Sequence, residues 1–432
     1  MNTNKDFLKH INNIYTTLNQ NESVISQLRE KNMNSVNKYG LPTHRKGNEE
    51  WKYSNLNRMT DLNYSENKNA ETNLKNINNI INMDDFEVIN IINGQLFENK
   101  INNKNIKIKN LSSTTLTIND TNKFNSTLDG ENEEIAQLNT ALCEDPILIE
   151  IDNKNSVSKL IVNIININIS NDYIINSPKL FIEIHEDAEF ELIENHVGEK
   201  SSLYTSNSMI EILVNKNSKL SHYRLLEDND ESIHLNTTRI KLMENAHVES
   251  NAFSKGTKLS RYDLKIITAS ENSYSELNGL YFTSKKQHLD NYINIDHIAP
   301  HCTSRINYKG ILNDESHAIF GGTVLVREGA IKTDSLQSDK NLVLSPKAEI
   351  DSKPSLYIYV DDILAGHGAT AGNIDENTVY YMQSRGLSLE LASKMLISGF
   401  AMEIIDKVQN QTLFDSLLEN YVNKLPSYTF DF

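Results

Sequence analysis

The sequence predicts a mainly β chain whose core is a parallel β-helix, or solenoid, flanked by α-helical regions at its N- and C-terminal ends. Two observations lead there. From about residue 145, short strands of alternating apolar and polar residues are separated by polar turns that carry a small residue. These turns recur at near-constant spacing: with Ala188, Ser218, Ala246, Ser273, Cys302 and Ala330 as markers, the intervals are 30, 28, 27, 29 and 28 residues. A period of that kind, with strands on both sides of each marker, fits stacked coils in which one repeat is one coil. The competing architecture is a large β-sandwich, which also spaces its strands regularly. The small variation between markers and the few Gly or Pro at hairpin positions favour the solenoid.

In chain order, Phe7, Leu8, Ile11, Ile14, Tyr15 and Leu18 fall at three- and four-residue steps and predict an amphipathic helix. Gly40 to Tyr53 is a polar stretch with breakers around the only tryptophan, Trp51, and reads as an ordered loop. Residues 66–82, crowded with Asn and Lys, read as a tolerant linker. Phe86, Val88 and Ile89 to Ile92, followed by Asn93-Gly94, predict a strand and a tight turn. Strands such as Phe181 to Ile184 and Tyr357 to Val360 supply the period-two alternation of the coils. After Arg385-Gly386, Ser388 is an N-cap, and Ala392, Met395, Leu396, Gly399, Phe400, Ile404 and Val408 trace one apolar stripe. A second stripe runs through Leu413, Phe414, Leu417, Leu418, Tyr421 and Val422. Two such helices either cap the end of a solenoid, the commoner use, or dock another protein. The expected division is therefore 1–82, an N-terminal helical region and linker; 83–375, the β-helix core; and 376–432, a C-terminal helical domain.

The 432 residues exceed one ordinary domain, and the formal charge of −16 argues against a nucleic-acid or anionic-membrane partner. No run approaches the ~18 apolar residues of a membrane span, and Met1 to His10 lacks the apolar core of a secretory signal. A soluble, cytoplasmic protein is expected. Cys143 and Cys302 stand far apart and form neither a CxxC motif nor a disulfide framework. Soft-metal chemistry would then borrow ligands from a partner or use oxygen and nitrogen.

The chemistry concentrates near the carboxyl end, where an alternating strand runs into Asp361-Asp362 and then into Gly366-His367-Gly368. Flanking glycines remove neighbouring side chains and allow positive φ, so the imidazole can be presented to a metal or a partner surface. The structural alternative is a histidine that closes a turn. On a β-helix, Asp361, Asp362 and His367 also fit a carbohydrate-cleaving enzyme that works with paired acids. Neither an upstream Asn-Thr-Asp element nor a following Arg-x-Lys strand accompanies them. A second group, His297, His301 and Cys302, is interrupted by Pro300 and reads as a structural turn rather than a metal site. His185, His196 and His247 sit in alternating strands and read as satisfied sheet residues.

The runs Lys332 to Ser345, Ala348 to Asp351, Pro354 to Thr370 and Tyr380 to Gly386 resemble the SufB/SufD family. These are scaffold components of the SUF iron–sulfur assembly system. The resemblance returns nearer the front in Gly40-Leu41-Pro42-Thr43, in Glu49-Glu50-Trp51-Lys52-Tyr53 and in Leu138 to Leu142. It implies a parallel β-helix with helical ends and no enzyme activity of its own. It also implies a cytoplasmic complex with a SufB-like paralogue and a SufC-like ATPase, the ATPase docking on the C-terminal helices. A homodimer of the isolated chain is compatible with it, and whether flavin binds is left open. By motif it implies that His367 contributes to a transient, nascent iron–sulfur cluster whose other ligands come from the SufB-like partner. One position departs from the pattern: Ala365 stands where family members often carry a cysteine. A purely structural interaction protein is the remaining alternative.

Overall fold

The computed structural model describes residues 3–20, 23–43, 48–65, 80–99, 101–128, 133–154 and 156–426. From Glu87 onward the chain winds into two stacked sheets of ten strands each. One contains Lys219–Glu227, His247–Lys255, Tyr274–Thr283, Thr303–Leu312, Asp334–Val343 and finally Leu364–Gly372. The other contains Ile233–Leu242, Leu259–Thr268, His288–His297, His317–Val326 and finally Glu349–Ile358. Successive strands thus alternate between sheets, and neighbours within a sheet are parallel, as when His222 lies beside Ser250 one coil later. Parallel pairing between coils is the signature of a solenoid and excludes the sandwich, whose connected strands run antiparallel. At the front, Glu87–Ile92 and Gln95–Asn99 form the expected hairpin through Asn93 and Gly94, both at positive φ.

The marker residues owe their regularity to turn chemistry. A residue in the left-handed region precedes five of them: Asp187, Asn217, Asn245, Asn272 and His301, with φ between 57° and 62°. Asn, Asp and His enter that region at lower cost than other side chains. The small residue that follows is buried. At the sixth marker the left-handed residue is Lys332, two positions beyond Ala330.

Inside the coils, Leu, Ile and Val from both sheets form one continuous apolar column. Each sheet also buries its outer face. Helices Thr3–Leu18 and Ser26–Tyr39 set Phe7, Ile11, Met33 and Val36 in a cluster with Ile233, Leu235 and Leu259. Helices Leu389–Ile405 and Gln411–Asn420 set Ile397, Ala401, Ile404 and Leu413 against Tyr223, Phe253, Leu280 and Ile311 of the other sheet. Ser388 is the N-cap, its side chain accepting from the Leu391 amide. Tyr421 fastens this layer by donating to the Ser254 carbonyl at 2.7 Å.

Two expectations need correction. The C-terminal helices do not cap the solenoid; they lie across the flat of a sheet, where their apolar residues and Tyr223, Phe253, Leu280 and Ile311 leave water together. The buried stripe of the first helix is also rotated, running through Ala392, Ile397, Ala401, Ile404 and Ile405 and leaving Met395 51% exposed. Most of the expected linker, residues 66–79, lies outside the described residues.

Glycine matters where coils touch. Gly279 lies in register with Tyr308, and Tyr281 with Gly310, so each ring covers the glycine of the adjacent coil. A Cβ on Gly279 would stand 2.2 Å from Tyr308 Cε1. Gly279→Ala is expected to cost about 1–3 kcal/mol through overpacking, read as a lowered urea midpoint. Gly368→Ala, where a Cβ meets nothing within 4 Å, should leave the midpoint unchanged.

Candidate functional site

The last coil consists of Glu349–Ile358 in one sheet and Leu364–Gly372 in the other, and each is the terminal strand of its sheet. No described strand continues either ladder, so an edge of unpaired amides and carbonyls faces outward. Pro354, which lacks an N–H, sits within the first of these strands, where an edge tolerates it. The rim is apolar: Tyr359 is 62% and Leu364 71% exposed, with Tyr357, Ile358 and Leu336 also open.

His367 is exposed on this terminal strand. Its register partner is Gln337, and alternation on that inner neighbour sends Ser335, Gln337, Asp339 and Asn341 toward the interior and Leu336 and Lys340 outward. On the terminal strand the matching positions are Ala365, His367, Ala369 and Ala371. His367 is thus the one large polar residue among alanines at the mouth of the coil interior. Beneath it, both amide atoms of buried Gln337 lack a hydrogen-bond partner. Asp339 accepts from Ser352 at 2.6 Å and from Asn341 at 2.7 Å, and burial pushes its carboxyl up to about 6. Gln337, Asp339 and Ser352 were not singled out by sequence reasoning; for Gln337 and Asp339 the signal was the alternation within the run from Lys332 to Ser345.

The two flanking glycines do not take positive φ. Ladder pairing with Asp334–Val343 holds them extended, so His367 lies in a strand and closes no turn. Their contribution is space: a Cβ at Gly366 would meet only Leu336, at 3.4 Å. Asp361 and Asp362 sit on an exposed turn, where Asp362 pairs with Lys332 at 2.7 Å. Neither lines the cleft of about 400 Å³ on the outer face of the other sheet, bounded by Glu49, Tyr53, Arg239, Tyr292 and Lys353.

Among the described residues His367 belongs to no cluster of three His, Cys, Asp or Glu ligands. Cys143 and Cys302 are both buried, and burial pushes the Cys143 thiol up to about 12. Around His297 the structure forms the expected turn: His297 is buried against Ser304 at 2.9 Å, and His301 fills the left-handed position used by asparagine in other coils. His247 stacks on Tyr274 and bonds to Glu249. His196 departs from the expectation of a satisfied residue, because its Nδ1 is buried without a partner.

The pattern of the whole chain has known counterparts. Residues 167–400 match the family model described as SUF system FeS cluster assembly, SufBD core domain, and residues 1–162 match the SufBD protein N-terminal region. The chain belongs to the SufBD family. The iron–sulfur cluster assembly protein SufD of Escherichia coli is 32% identical over 245 residues, 57% of this chain and 58% of that protein. The chloroplastic protein ABCI7 of Arabidopsis thaliana is 32% identical over 255 residues, 58% of this chain and 53% of that protein. A SufBD family protein of Synechocystis is 29% identical over 285 residues, 64% of this chain and 63% of that protein. The chain therefore spans between half and two thirds of these curated relatives. The chain is thus a SufBD family member with a β-solenoid core, and none of its described helices is long and apolar enough to cross a membrane.

Proposed function

We propose that this chain is a SufD-type scaffold subunit. Its open coil end pairs with a SufB-like paralogue, its C-terminal helical domain, 376–432, docks a SufC-like ATPase, and His367 is its ligand to a nascent cluster at the seam. The observation that carries this reading is the imidazole on a terminal strand whose outer edge is open, above a buried amide without partners and inside an apolar rim. Sheet edges recruit strands from another chain, and apolar rims mark contact surfaces. A neutral imidazole is the form that binds iron. ATP-driven motion of the docked ATPase would act on the helical layer and, through Tyr421 and the sheet beneath it, on the coil. The same edge would accept a second copy of this chain when the paralogue is absent. No catalytic step is assigned to the chain itself.

The test is His367→Ala in a complex reconstituted from the three proteins. Because the side chain is exposed, the variant should fold and assemble normally while cluster formation, read as protein-bound iron and sulfide, falls to background. Undiminished cluster yield would remove His367 from the mechanism and leave the purely structural reading.

A further inference from the structure

We infer that His317, Glu349 and Asp351 form a second site on this chain, one that binds a divalent first-row transition ion of the Fe²⁺, Zn²⁺ or Mn²⁺ class. The site lies on the sheet opposite His367. It arises directly from coil register: His317 opens the strand His317–Val326 and lies beside Glu349 of the next coil, while Asp351 stands two residues along on the same face. One donor atom from each of the three lies within 4.8 Å of the others. Donors held at about 2.1 Å from an ion stand roughly 3–4 Å apart, so little movement separates this arrangement from coordination. His317 Nε2 already approaches Asp351 Oδ2 at 2.7 Å.

The donor set decides the class of ion. One imidazole nitrogen and two carboxylates neutralise a dication and suit borderline metals, whereas calcium prefers all-oxygen shells and Cu(I) prefers sulfur. His317 and Asp351 are about a quarter exposed, so one side of the site is open to water or to an exchanging ligand.

Two observations set this group apart from an ordinary surface ion pair. The first concerns the other group of this kind among the described residues, Glu150, Glu183 and His185. There Lys123 lies between the two carboxylates, at 2.8 and 2.6 Å, so an ammonium already fills the cationic position. Among the described residues no lysine or arginine forms a salt bridge with Glu349 or Asp351. The second is His288, one coil earlier in the same column. It is 3% exposed, its ring centroid is 5.0 Å from that of His317, and its Nε2 is 3.0 Å from Ser54 Oγ. Its Nδ1 is buried without a partner, an unmet polar atom of the sort that an ion-bound water satisfies.

The experiment uses the untagged full chain, stripped with chelator and dialysed against Zn²⁺ or, anaerobically, Fe²⁺, with bound metal counted. Co²⁺ absorption provides a second readout for nitrogen ligation. One equivalent should bind to the wild type. His317→Ala and Asp351→Asn should each weaken it by about tenfold or more, while His185→Ala leaves it unchanged. Glu349→Gln, at an exposed position, should also weaken binding without disturbing the fold. Absence of a stoichiometric ion, or equal binding by the Glu349→Gln variant and the wild type, would overturn the site. Metal is counted on the isolated chain and cluster yield in the reconstituted complex, so failure of this site and failure of the scaffold reading are separate results.

Discussion

Glu194→Ala is expected to destabilise the protein by about 3–5 kcal/mol, the range for breaking one member of a buried charged network. Glu194 is fully buried on an inward-facing position of the strand Glu189–Gly198. Its Oε1 faces His196 Nε2 and accepts from Asn236 at 3.2 Å, and its Oε2 lies 3.1 Å from His222 Nε2. The Arg224 guanidinium, one coil on, stands 3.8 Å away and packs over the Tyr262 ring at 4.2 Å. The adjacent imidazoles hold the Glu194 carboxyl well below the usual carboxylate range, against the opposing effect of burial. Alanine would leave Arg224 facing His196 and His222 with no anion between them. Urea denaturation at pH 7 measures the loss, and exposed Glu189→Ala is the control that should stay within about 0.5 kcal/mol. The double replacement Glu194→Leu with Arg224→Met should recover much of the stability, since an apolar core can substitute for a buried pair. A Glu194→Ala midpoint indistinguishable from wild type would mean that the network contributes nothing net.

That network also marks where sequence reasoning stopped. The coil period was legible because each turn needs a left-handed residue and then a small one, and Asp187-Ala188, Asn217-Ser218, Asn245-Ala246 and Asn272-Ser273 carry both signals side by side. The helix start at Ser388 was legible for a similar local reason. Which face of each strand looks into the coil was not legible, because helices cover the outer faces and both sides of a strand then carry apolar residues. In Glu189–Gly198, Ile193 packs outward against the helical layer while Leu192 packs inward, and Glu194 and His196 share the inward side. Alternation alone could not assign that polar pair to the interior. His367 was found through its glycine neighbours and the family motif, although its placement depends on strand register, which needs the neighbouring coil. The site at His317 escaped for the same reason. Its donors are 32 and 34 residues apart in the chain and become neighbours only when one coil is laid on the next.

Lowering the pH from 7 to 5 should remove roughly 4–5 kcal/mol of stability, and the sign follows from which groups burial keeps neutral. Burial lowers His234 to about 4, His297 to about 4 and His288 to about 3. His234 shows how: its Nδ1 is 2.9 Å from Asp228, while its Nε2 faces an Arg224 nitrogen at 2.8 Å and so must act as acceptor. In the unfolded chain each of these histidines takes up a proton below ~6.5, whereas the folded chain refuses it until much lower pH. Falling pH therefore favours the unfolded state, by roughly 2 kcal/mol per histidine between pH 7 and 5. Asp339 works the other way. Its folded pKa of about 6 lies above the unfolded ~3.9, so the folded state binds the extra proton and regains roughly 1 kcal/mol over the same interval. Three histidines outweigh one aspartate. The decline is measured as the drop in urea-denaturation free energy between the two pH values, and His297→Gln should remove about a third of the histidine contribution by deleting one titrating group. Glu194 enters only in stronger acid: its stabilisation is complete above the unfolded carboxyl pKa of ~4.3 and disappears as pH falls through its depressed folded value. A stability that stayed level between pH 7 and 5 would show that water or a proton reaches these imidazoles without unfolding, through the coil interior for His234 and His297 and beneath the N-terminal layer at Ser54 for His288.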